Sequence, residues 1–100
     1  MIIVEGFVRM QSADDFDRVR DAATAQIEAS RAESGCIDYI YAIDVLDPTI
    51  MRVLERWDSW EALDAHFKMS HMDRWRAALE DVKFLERSIR AHDVRETRDR

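Results

Sequence analysis

Apolar residues crowd both parities of Ile2 to Met10, with Ile3, Val4, Phe7 and Val8 close together, and the stretch predicts a first β-strand. Gly6 inside it predicts either a bulge or the close approach of another group. After Ser12 the period lengthens to that of a helix, with Phe16, Val19, Ala23 and Ile27 as its buried stripe. Ser12 and Asp15 form the S-x-x-D pattern of a capping box, and Asp14, Asp15 and Asp17 put carboxylates at the positive end of the helix dipole. The helix is expected to run to about Glu33 and to stop at Ser34-Gly35, with Gly35 in a left-handed C-terminal position.

Cys36 to Val45 predicts the second strand, carrying Ile37, Tyr39, Tyr41 and Ile43 on one face. Asp47-Pro48 is a turn signal, and Ile50 to Asp58 a third strand, so the two should pair as an antiparallel hairpin. Ser59 is then the expected N-cap of a helical region in two pieces. Leu63 and Phe67 anchor the first; Met72, Trp75, Leu79 and Val82 anchor the second, for which Ser70 and Asp73 offer another capping box. Arg87 to Arg95 alternates as a last strand, Ile89, Ala91 and Asp93 against Arg90, His92 and Val94. Residues 1–95 read as one domain, and Glu96–Arg100 as a polar tail.

The order β-α-β-β-α-β defines an α+β fold, the ferredoxin-like plait: a four-stranded antiparallel sheet with its helices on one face. Ile3 and Phe7 oppose Val4 and Val8, and Ile40 opposes Tyr39 and Tyr41, so both faces of the sheet are apolar. A sheet with one wet face would alternate cleanly. Helices cover one face only, and a second copy of the chain, sheet on sheet, is the simplest cover for the other.

Composition narrows the partners. At 47% hydrophobic with two Gly and one Pro, the 100 residues are those of a compact domain that association would help stabilise. A net charge of −6 argues against nucleic acid, whose phosphates need a basic face. The single Cys36 cannot form an internal disulfide. The first residues lack the pattern of a secretory leader, and no apolar run reaches the length of a membrane span. The expectation is a cytoplasmic protein away from membranes.

Candidate chemistry gathers between Glu55 and Trp75, which hold all three tryptophans and His66 and His71. His66, beside Leu63 and Phe67, is a candidate general base near neutral pH or a donor to a substrate oxygen. His71 at the next helix start is a second candidate. Trp57, Phe67 and Trp75 are bulky enough to wall a pocket, and Tyr39 and Tyr41 could donate to a substrate oxygen. Each has a packing role as its alternative. Glu55 closes an apolar strand and is expected to find a cation such as Arg9 or Arg90. A shared metal ion is not expected, because His66 and His71 lie five apart, roughly 140° around a continuous helix. Without a Gly-rich phosphate loop or a dinucleotide fingerprint, a tightly bound nucleotide cofactor is not expected either.

Ser34-Gly35-Cys36-Ile37-Asp38-Tyr39, Asp47-Pro48, Glu55-Arg56-Trp57-Asp58-Ser59, Ala62-Leu63-Asp64-Ala65-His66 and Ser70-His71 together resemble the antibiotic biosynthesis monooxygenase (ABM) domain over nearly the whole chain. The resemblance implies a dimeric α+β barrel, two plaits joined through their sheets, with a pocket between sheet and helices in each subunit. It also implies O₂-dependent oxidation of a small aromatic or quinol-like substrate without metal or flavin. His66 is then the base, with Tyr39 and Trp57 as pocket groups. The haem-degrading and polyketide-oxidising branches of that family use an Asn, and this chain has none. A branch of sugar-phosphate isomerases leaves a second expectation, a His proton shuttle with Arg52, Arg74 or Arg76 for the phosphate. A third is a non-catalytic ligand-binding or stress dimer. Oxygen uptake separates the first from the other two.

Overall fold

A computed structural model describes residues 1–100, with the order β1 (Ile2–Met10), α1 (Asp14–Arg31), β2 (Cys36–Ile43), β3 (Ile50–Trp57), α2 (Trp60–Phe67), α3 (Ser70–Ala78) and β4 (Phe84–Asp93). The four strands lie in the order β2-β3-β1-β4, every neighbouring pair antiparallel. This is the ferredoxin-like plait, with the second helical region split in two.

Register decides which side chains meet the helices. Val4 pairs with Glu55 and Val8 with Met51 across β1 and β3, while Tyr39 pairs with Glu55 across β2 and β3. Side chains alternate faces along each strand, so these residues share the inner face with Ile2, Met10, Val53 and Trp57, all buried. Ile3, Phe7, Ile40 and Leu54 fall on the outer face and are only half-buried. The inner residues form two core clusters, one around Val8, Met51 and Trp75, the other around Val4, Tyr39, Trp57 and Leu63.

Gly6 resolves its alternatives in favour of close approach. Its φ is 151°, and a Cβ there would lie 1.9 Å from the carbonyl oxygen of Ser88 on β4. The bulge lies instead between Arg9 and Met10. Gly35 has no positive φ, so the left-handed cap expected there is absent. Its bare Cα makes room for Ala62, since an added Cβ would lie 2.3 Å from the Ala62 methyl. The N-cap of α1 falls to Ala13, which has no side-chain acceptor, while Ser12 stands one residue earlier, its N–H donating to the Asp15 carboxylate and its hydroxyl accepting from Asp14 N–H.

Ser59 caps α2 as expected, accepting from Ala62 N–H at 3.1 Å. Ser70 does not cap α3: it is the first helical residue, and the N-cap position falls to Met69, which has no side-chain acceptor. β2 stops before Val45 because Asp44 accepts from the N–H groups of Leu46 and Asp47 and folds the chain into a turn. β4 starts earlier than the alternation suggests, with Phe84 pairing to Met10 beyond the bulge. No helix is long and apolar enough to cross a membrane.

Candidate active site

A cavity of about 470 Å³ opens between the inner sheet face and the α2–α3 region. Val4, Val8, Met51 and Val53 form its floor, while Met72 and Trp75 close it from α3. Tyr41 stacks on Trp75 with ring centroids 5.6 Å apart. Phe67 stands at the rim, 49% exposed. Against these apolar walls stand a few polar side chains: Tyr39, Tyr41, Glu55 and His66, with Arg76 and Arg87. A mostly apolar cavity with few polar groups is the usual make-up of a small-molecule site.

His66 is held from behind. It sits in the last turn of α2, 1% exposed, with its ring 4.6 Å from the indole of Trp57. Its Nδ1–H donates to Glu33 Oε2 at 2.6 Å. Nε2 has no protein partner, yet no buried side-chain nitrogen or oxygen is left unpaired. That nitrogen therefore faces the open cavity. Burial lowers the His66 pKa and outweighs the hydrogen bond and charge of Glu33, which raise it. The ring is thus biased towards its neutral form, with a lone pair turned to the cavity.

Glu33 is shared. The same Oε2 lies 2.9 Å from His71 Nε2, and His71 Nδ1 lies 2.8 Å from Gln26 Oε1. Gln26 also donates to the Tyr39 hydroxyl at 3.2 Å, and Tyr39 and Tyr41 share a hydrogen bond at 2.7 Å. A chain of contacts thus runs from the two tyrosines through Gln26, His71 and Glu33 to His66. Burial pushes the Tyr39 hydroxyl up to about 12 and the Tyr41 hydroxyl higher still.

Spacing misjudged the two histidines. The helix ends at Phe67 and restarts at Ser70, which turns the rings towards each other with centroids 5.5 Å apart. With Glu33 they form a donor set that could hold a metal ion. Glu55 also differs from expectation. Arg9 pairs with Asp47 and Glu86 instead, and Glu55, 7% exposed, accepts only the Trp57 indole N–H at 3.0 Å. Burial and the charge of Glu33 lift its pKa to about 7 against that hydrogen bond.

Among the residues singled out from sequence, His66, Tyr39, Phe67 and Trp75 line the cavity. Trp57 is wholly buried behind it, and His71 lies on the far side of Glu33. Glu33 and Gln26 escaped notice, and Glu55 was singled out with the wrong partner. The signal for Gln26 was its position, for the buried stripe of α1 is Asp15, Val19, Ala23, Gln26 and Ser30. A long polar side chain on such a stripe needs buried partners. Cys36 is no nucleophile, because burial and the nearby acids Glu33 and Glu55 raise its thiol to about 11.

The sequence profile of the antibiotic biosynthesis monooxygenase family matches residues 1–78. The chain belongs to that family. Solved structures of the same fold include two proteins provisionally named as family members. The one from Deinococcus radiodurans is 24% identical, with a TM-score of 0.87 and coverage of 99% of this chain and 97% of that one. The other, from Nitrosomonas europaea, is 19% identical, with a TM-score of 0.83 and coverage of 94% and 98%. A Mycobacterium tuberculosis protein is 21% identical, with a TM-score of 0.82 and coverage of 99% and 100%. No curated protein matches the chain in sequence. At these identities the structures speak to the fold of the ABM chain, and its chemistry rests on its own side chains.

Proposed function

We propose that this ABM-family chain is a cofactor-independent monooxygenase of the cytoplasm, acting on a small aromatic or quinol-like substrate as a homodimer. The observation that carries the reading is the orientation of His66. Glu33 takes its Nδ1–H, so Nε2 is free to remove a phenolic proton from a ligand in the cavity. A carboxylate behind an imidazole fixes the tautomer and steadies the positive charge that forms. The resulting anion is electron-rich and transfers electrons to O₂ within apolar walls that exclude water. One oxygen atom ends on the ring and the other leaves as water, the substrate supplying the electrons. Phe67 and Trp75 hold the ring, Tyr39 donates to a substrate oxygen, and His71 and Trp57 act through Glu33 and Glu55.

A second reading, isomerisation by a proton shuttle, is supported by Glu55. Its carboxyl titrates near neutrality in the same cavity as His66, and two groups that can exchange protons at working pH suit that chemistry. Oxygen-electrode measurements with hydroquinones and naphthols distinguish the two. The expected result is uptake that falls by about 100-fold or more in His66→Ala, the usual scale of a lost general base. No uptake with any of the panel would overturn the oxygenase reading, and full uptake in the variant would remove His66 from the base role.

A further inference from the structure

We infer that Glu33, His66 and His71 form a binding site for a divalent cation of the zinc type, set between the end of α1 and the α2–α3 junction. One donor atom from each lies within 4.8 Å of the other two. All three side chains are buried, with exposures of 7% for Glu33, 1% for His66 and 9% for His71. Two imidazoles and one carboxylate are the donors that borderline first-row cations take.

Proton placement is the stronger ground. The Met72 sulfur can only accept, so the amide nitrogen of Gln26, 2.9 Å away, must be the atom that faces it. The Gln26 oxygen therefore faces His71 Nδ1, which must carry its hydrogen. In a neutral His71, Nε2 then turns a lone pair towards a carboxylate oxygen 2.9 Å away. Two lone pairs at that distance need a proton, on the ring or on the carboxyl, or a cation between them. Gln26 already supplies the outer hydrogen bond that orients a metal-binding histidine.

A second cleft gives access at His71. Its volume is about 240 Å³, and it is lined by His71, Gln26, Arg74 and Trp75. With metal–ligand bonds of roughly 2.0–2.2 Å, the three donors need to spread only slightly from their present hydrogen-bond spacing. Arg76 lines the main cavity beside His66 and opposes added positive charge. A cation on His66 Nδ1 obliges Nε2 to hold the ring's hydrogen. Occupancy and the general-base role therefore exclude each other, although the site itself does not rest on the proposed oxidation.

The test is titration of the metal-free full-length chain with Zn²⁺ by calorimetry and with Co²⁺ by visible absorption. One ion per chain is expected, weakened more than about 100-fold in Glu33→Gln and by about 10-fold in Gln26→Leu, the scale of outer-shell losses. Surface His92, half exposed, is the control, and His92→Gln should bind as the wild type does. X-ray absorption at the zinc edge of the wild-type complex needs no variant and should show two imidazoles. No binding, binding intact in Glu33→Gln, binding lost in His92→Gln, or a zinc shell without imidazole would each overturn the inference. Inhibition of oxygen uptake by Zn²⁺ is a separate reading that bears on the proposed oxidation alone.

Discussion

Glu55 holds on to its proton because the fold gives the charge nowhere to go. Its carboxyl titrates at about 7 when folded, against 4.5 for an ordinary glutamate. Between those values the folded state carries a proton that the unfolded chain has released, so this group's contribution to stability falls as pH rises through the window. Above about 7 both states are ionised and the loss is complete, of order 3 kcal/mol. His66 acts in the opposite sense over part of the range, since its lowered pKa favours the folded state as pH rises. Comparison with Glu55→Gln isolates the acid. The variant's advantage in urea unfolding should grow by ~2–3 kcal/mol between pH 5 and pH 8, and a constant difference would mean that burial does not raise this carboxyl. Sequence marked Glu55 as a charge on an apolar strand and supplied the wrong partner. Arg9 falls on the opposite face of the sheet, where it pairs with Asp47 and Glu86, and which face a strand residue takes is invisible until register is known. His66 was legible because it lies beside the Leu63 and Phe67 stripe of its helix, whereas Glu33 reads as one more acid at a helix end.

Elements differ in how far local residues determine them. β1 and the β2–β3 hairpin follow from their apolar runs and from Asp47-Pro48, and α2 starts at the serine whose hydroxyl caps it. Ser70 has the same chemistry at hand but falls one residue too late, because Lys68 and Met69 N–H groups already bond back to α2 carbonyls. Tertiary contact also shapes the turn from α1 into β2, where Gly35 admits Ala62. Gly35→Ala should therefore lower stability by about 2 kcal/mol or more, as an overpacked contact does. Ala62→Gly alone costs about 1 kcal/mol for a helix glycine. In the double variant the glycine at position 62 relieves the clash, and thermal unfolding should give a coupling of at least ~1 kcal/mol. Additive losses would show that the two backbones do not meet there.

The whole molecule leaves one sheet face without helices. Ile3, Phe7, Ile40 and Leu54 are half-buried there while Arg52, Arg56, Arg90 and His92 surround them exposed. Such a face, with apolar residues interspersed with charges of both signs (Arg52 opposite Phe7, Glu5 opposite Leu54), suits a self-complementary contact about a two-fold axis. This supports the proposed homodimer. Light scattering at micromolar concentration should give twice the chain mass, and Leu54→Glu, which sets a charge at the centre, should shift it to one. A monomeric wild type would overturn the homodimer. The plait was legible throughout the chain because both periodicities, two and near four, are local. The cavity was not, because its walls come from strands and helices far apart in sequence.

The paired hydroxyls of Tyr39 and Tyr41 bear on what can be ionised inside that cavity. With one pushed up to about 12 and the other raised further, both are weaker acids than a free phenol. Any phenolic guest that keeps its ordinary acidity is then the easiest proton for His66 to remove. The walls lose the contest for the base, and negative charge collects on the guest rather than on the protein. Under the proposed oxidation, substituents that acidify a substrate's ring should therefore speed its first step, while a guest more weakly acidic than Tyr39 would bind and stay intact.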